Sequence, residues 1–145
     1  MRQLLLCSCV PLLLALASSA DAADERSPFA LRAFVGLWEG IDPVDGGDAL
    51  RSITCDRDRN CDFRATDSVI TLCGGGPAFA SGTGGLEDGE LVFPDVLLTC
   101  PDGATANLSV RFARDPLNRT LVETAVVVDD DDRKLPNIVF HKISR

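Results

Sequence analysis

The chain has a single histidine, His141, and that scarcity removes much chemistry at once. A Ser–His or Cys–His centre needs a nucleophile beside the imidazole and an acid to orient it. No nucleophile motif stands in the sequence, so His141 reads as a surface or structural residue. Zinc lacks its nitrogen donors for the same reason, and the cysteine gaps match no ligand pattern. Gly74-Gly75-Gly76 is followed by neither Lys-Ser/Thr nor a helical pattern, which removes a phosphate loop. Basic charge is short as well: 14 Lys and Arg stand against 22 Asp and Glu, a net charge of −8. An acidic surface repels phosphate backbones, so nucleic acid and anionic membrane are not expected partners. The chain reads as non-enzymatic, with no cofactor, no metal and no membrane span.

Residues 1–20 have the three parts of a secretory leader: Arg2, the apolar Leu4-Leu5-Leu6 and Leu12-Leu13-Leu14-Ala15-Leu16, then Ser18-Ser19-Ala20. Cleavage after Ala20 fits best, with Ala22 and Ala23 as alternatives. Its removal takes away one charged residue, Arg2, leaving 13 basic against 22 acidic side chains and a net charge of −9. The expected location is secreted or periplasmic. Residues 21–32 read as a flexible arm and 33–145 as one domain, long enough for a real core.

Cys7 and Cys9 leave with the leader. Cys55, Cys61, Cys73 and Cys100 remain, an even count that reads as two disulfides in an exported chain. Of the three pairings, Cys55–Cys61 and Cys73–Cys100 are favoured. The first flanks the polar turn Asp56-Arg57-Asp58-Arg59-Asn60, and the second ties a glycine-rich excursion to the end of a later strand. On chain entropy they are worth roughly 2.5 and 3.5 kcal/mol. Asp56-x-Asp58-x-Asn60 opens like a calcium loop, but Cys61 stands where glycine is wanted and Asp67 where glutamate closes. It reads as a solvated hairpin tip, as does the acidic run 129–132. Asn107-Leu108-Ser109 and Asn118-Arg119-Thr120 are glycosylation sequons, one on a polar strand face and one in a turn.

From residue 33 onward the pattern is short strands and turn signals, with no helical period of useful length. Strands are expected over 33–42, 49–55, 61–66, 69–73, 90–99, 105–114, 119–128 and 138–143. Residues 78–80 read as a short edge strand and 82–85 as a flexible turn. Pro94 predicts a bulge or an edge position. The clearest alternation is Ala106, Leu108, Val110 and Phe112 against Thr105, Asn107, Ser109 and Arg111. On 119–128 the expected inward set is Val122, Thr124, Val126 and Val128, with Glu123 outward. Asp67-Ser68 reads as an interruption. Such a list implies an all-β, antiparallel up-and-down meander, which buries its edges by closing into a small eight-stranded barrel stapled by disulfides.

The only tryptophan, Trp38, lies between Gly36 and Gly40 on the first strand. Phe34-x-Gly36-x-Trp38 at the start of a small exported barrel resembles the calycin group, which includes lipocalins, fatty-acid-binding proteins and avidins. The resemblance implies that Gly36 and Trp38 close one end of the barrel. It also implies that a basic side chain near the end of the chain, Lys142 or Arg145, packs on the indole. The implied function is lipocalin-like binding of a small apolar ligand, because eight-stranded barrels are just wide enough for one small molecule or for side chains alone. The alternative is a solid-cored module that acts on an extracellular protein, such as a secreted protease inhibitor. The stretch Asp42-Pro43-Val44-Asp45-Gly46-Gly47 followed by Arg51-Ser52-Ile53-Thr54 also resembles small secreted proteins from which no activity carries over.

Overall fold

The structure is a computed structural model and describes residues 28–128 and 133–143. The expected leader, residues 21–27 of the arm, the acidic run 129–132 and Arg145 lie outside the described residues.

A five-residue helix, α1 (Pro28–Arg32), precedes nine strands: β1 (Gly36–Ile41), β2 (Asp48–Cys55), β3 (Cys61–Ile70), β4 (Gly76–Glu87), β5 (Glu90–Thr99), β6 (Thr105–Asp115), β7 (Thr120–Val127), β8 (Arg133–Lys134) and β9 (Ile138–Lys142). Each strand from β1 to β7 pairs antiparallel with the next, and β9 lies between β7 and β1. The sheet therefore closes into an eight-stranded barrel. β8 and β9 are two pieces of one wall strand, both paired with β7. Leu135-Pro136-Asn137 interrupts them, because proline has no N–H for the ladder. Two disulfides, Cys55–Cys61 and Cys73–Cys100, staple the barrel with the favoured pairing.

Alternation sets most of the interior. Leu108, Val110 and Phe112 of β6 and Phe63 and Ala65 of β3 point inward, as their period of two requires. Phe63, Phe93, Phe112 and Phe140 form one cluster, with ring centroids 5.1 to 6.4 Å apart. Pro94 sits at a one-residue register shift, a bulge in β5.

Several expectations fail, each for a physical reason. β7 is flipped: Leu121, Glu123, Ala125 and Val127 are buried, and Val122 and Val126 lie on the other face. Both faces of β7 are apolar enough to be the inner one, and a one-residue slip exchanges them. The segment 82–85 is no turn. It lies inside β4, a twelve-residue strand with neighbours on both sides, so 78–80 is no edge either. A Cβ on Gly84 would strike the Val92 carbonyl oxygen and come within 2.8 Å of Phe93 Cδ1, so close approach of β5 at its bulge demands glycine there. β3 runs on through Asp67 to Ile70, and Thr71–Cys73 is a 3-10 turn rather than strand. The final residues of the expected arm form α1, whose Leu31 is buried in the core.

Candidate functional site

The barrel has two unlike ends. At one end α1 and the β2–β3, β4–β5 and β6–β7 turns meet. Trp38 is 3% exposed there, and its Nε1 donates to the Phe34 carbonyl oxygen at 2.8 Å. Lys142 of β9 places its Nζ 5.3 Å from the indole centroid and donates to the Val35 carbonyl oxygen at 2.7 Å. Gly36, at φ 143°, leaves the room: a Cβ there would lie 2.7 Å from Lys142 Cε. Trp38, Gly36 and Lys142 are thus brought together.

The other end is a mouth, formed by the β1–β2 turn, the 3-10 turn after β3 and the β8–β9 break. Behind it lies a cavity of about 80 Å³. Its walls carry alanines, Ala65, Ala80 and Ala125, at inward positions. Phe93, Phe112, Phe140 and Trp38 do not reach it, whereas Phe63 does. Small side chains at one end and aromatic ones at the other make the barrel hollow above and solid below.

Between the two halves sits Arg51 of β2, 3% exposed. Its Nε and Nη2 donate to Glu123 Oε2 and Oε1 of β7 at 2.6 and 3.0 Å. Nη1 donates to Asp67 Oδ1 of β3 at 2.7 Å and to the Leu50 carbonyl oxygen at 3.0 Å. The guanidinium also lies 4.9 Å from the Phe140 ring centroid. Burial alone would lower the Arg51 pKa, but Glu123 and then Asp67 more than offset it and hold the group above its ordinary value. Burial pushes the Asp67 carboxyl up, and Arg51 offsets this only in part. Asp42 adds a third carboxylate at the mouth, so the cavity lining carries one cation and three acids.

None of these three interior charges is marked by a motif. The usable signal is phase. Arg51 alternates with Ala49 and Ile53, Asp67 with Phe63 and Ala65, and Glu123 with Leu121 and Ala125, all inward. One cation and two anions on the inner phase of three strands imply that they meet.

The other candidate residues are scattered. His141 is exposed and lies opposite Glu39 in the β1–β9 pairing. Asp56 accepts from the Asn60 N–H at 2.9 Å and from Asn60 Nδ2 at 3.2 Å, closing its own turn. Asn107 is exposed on the outer face of β6, and Asn118 is exposed in the β6–β7 turn, its Nδ2 donating to Asp115 Oδ2 at 2.6 Å. Among the described residues no helix is long and apolar enough to cross a membrane.

Compared with protein-family models, curated proteins and solved structures, the chain matches none.

Proposed function

We propose that the protein is an exported, non-enzymatic binding barrel whose mouth takes a small apolar molecule. The observation that carries this is the cavity behind the mouth, lined mostly by apolar side chains and holding the Arg51, Asp67 and Glu123 charges in its wall. Its volume of about 80 Å³ is well below the several hundred Å³ of a drug-sized pocket. The ligand is therefore short, or inserts only one end. With three carboxylates and one guanidinium in the lining, a ligand end that is neutral or donates hydrogen bonds is favoured over an anionic one.

The calycin-like reading is supported by Lys142 of β9 lying over Trp38 beside Gly36. Export is supported by two disulfides, which persist in oxidising compartments. The second reading, a solid module acting on another protein through its loops, draws on the aromatic cluster that fills the opposite half. Glycosylation at Asn107 and Asn118 is compatible with either.

Xenon and benzene, which enter dry apolar cavities, are the first probes. NMR shifts should concentrate on Ala65, Ala80, Ala125 and Leu108, and Ala125→Phe should abolish them. Native mass spectrometry of protein purified from its source should then show a small retained molecule. No xenon or benzene binding, together with a ligand-free native protein, would favour the solid module.

A further inference from the structure

We propose that the closed end carries an anion site for a phosphate- or sulfate-bearing small molecule, built from Arg32, Arg114, Arg119 and Lys142. These four cations, with His141, line one cleft of about 510 Å³ over the Trp38 end of the barrel. They come from four separate places: the last residue of α1, the end of β6, the β6–β7 turn and β9. Four of the chain's 14 basic residues thus converge, and among the described residues no Asp or Glu lines the cleft. In a protein of net charge −8, this is a concave patch of opposite sign, which focuses its field on an incoming anion.

Three details point the same way. The carboxylate on the same turn, Asp115, is occupied and does not line the cleft. It accepts from the Leu117 N–H, the Asn118 N–H and Asn118 Nδ2, and those bonds, the Asn118 side chain's first, hold it below the usual carboxylate range. Arg119 has φ 55°, a left-handed position that glycine or asparagine would occupy at less cost. A guanidinium stands there instead, at the rim of the cleft. Lys142 is already fixed by the Val35 carbonyl oxygen and the indole, so one of the cations is set in place before any ligand arrives. Arginine forks match the oxygens of phosphate and sulfate two at a time. The site is separate from the mouth and does not depend on what the mouth binds.

Calorimetric titration with inorganic pyrophosphate at low salt tests the site. Saturable one-to-one binding is expected, weakened at least tenfold in Arg114→Gln/Arg119→Gln and falling with salt. Both positions are exposed, and an unchanged melting temperature will show that the variant is folded. Arg64→Gln/Lys134→Gln removes the same charge from the outer wall and the mouth end, at two exposed positions, and should leave binding unchanged. Phenyl phosphate and inorganic phosphate separate the two sources of the group: tighter binding of the ester points to an organic ligand, and equal binding to the free anion, each upholding the site. No saturable binding up to about 10 mM, or an equal loss in both double variants, would overturn the proposal.

Discussion

Replacing Arg51 by methionine is the sharpest test of the barrel's interior. The change keeps an unbranched apolar side chain but orphans two carboxylates whose side chains are 7% (Glu123) and 12% (Asp67) exposed. Charge centres about 4 Å apart attract by roughly 4 kcal/mol at an effective dielectric of about 20. Two such attractions are lost, while the guanidinium's own desolvation cost disappears. The net loss expected is about 3–5 kcal/mol, a large share of the 5–15 kcal/mol typical of a whole domain. Urea unfolding at pH 7, followed through the single buried tryptophan, measures it. The pH dependence supplies the second half of the test. Asp67 is already raised by burial, and without Arg51 it rises further. A carboxyl raised in the folded state binds its proton more tightly there than in the unfolded chain. Its contribution is then present at low pH and fades as pH rises through the folded value. Arg51→Met should therefore recover part of its deficit, relative to the wild type, as pH falls from 7 to 5. Adding Asp67→Asn and Glu123→Leu should bring it back to within about 2 kcal/mol of wild type, because an intact buried ion set contributes little over an apolar one. A loss under about 1 kcal/mol at pH 7, or one that grows on acidification, would refute the reasoning.

Gly84→Ala should cost about 3 kcal/mol or more in urea unfolding, because its Cβ meets the Val92 carbonyl of β5. Gly85→Ala, whose Cβ would find only the Arg59 carbonyl oxygen at 3.7 Å, should stay within about 0.5 kcal/mol of wild type. Equal effects would mean that conformational freedom, not close approach, explains the glycines of β4. Removing Cys73–Cys100 by paired alanines should cost about 3.5 kcal/mol and removing Cys55–Cys61 about 2.5. The reverse order in chemical unfolding would show that loop length does not govern these links.

The barrel was legible in the sequence wherever one face of a strand was clearly polar. β6, with Leu108, Val110 and Phe112 alternating against Asn107, Ser109 and Arg111, left no doubt about its inner face. Trp38 between two glycines, and the polar turn between Cys55 and Cys61, were equally plain. β7 was not, because valines occupy its outer face and glutamate its inner one. The interior charges share that difficulty. Charge in a strand ordinarily marks solvent, and the partner that makes Glu123 an inward residue lies 72 positions earlier. The glycines at 82–85 read as a turn in the sequence because nothing local tells a flexible glycine from one pressed against a bulge. The cavity depends on the sizes of residues from five or more strands, which no single segment reveals.

The seam between β1 and β9 joins Trp38 to Lys142, more than a hundred residues apart. Until that late ribbon docks, two unpaired borders stay open, each a template for pairing with a neighbouring copy. Such long-distance closure is slow compared with the hairpins that precede it. A polypeptide cut short before β9 should therefore self-associate rather than fold, which makes aggregation, more than loss of binding, the expected fate of C-terminal truncations.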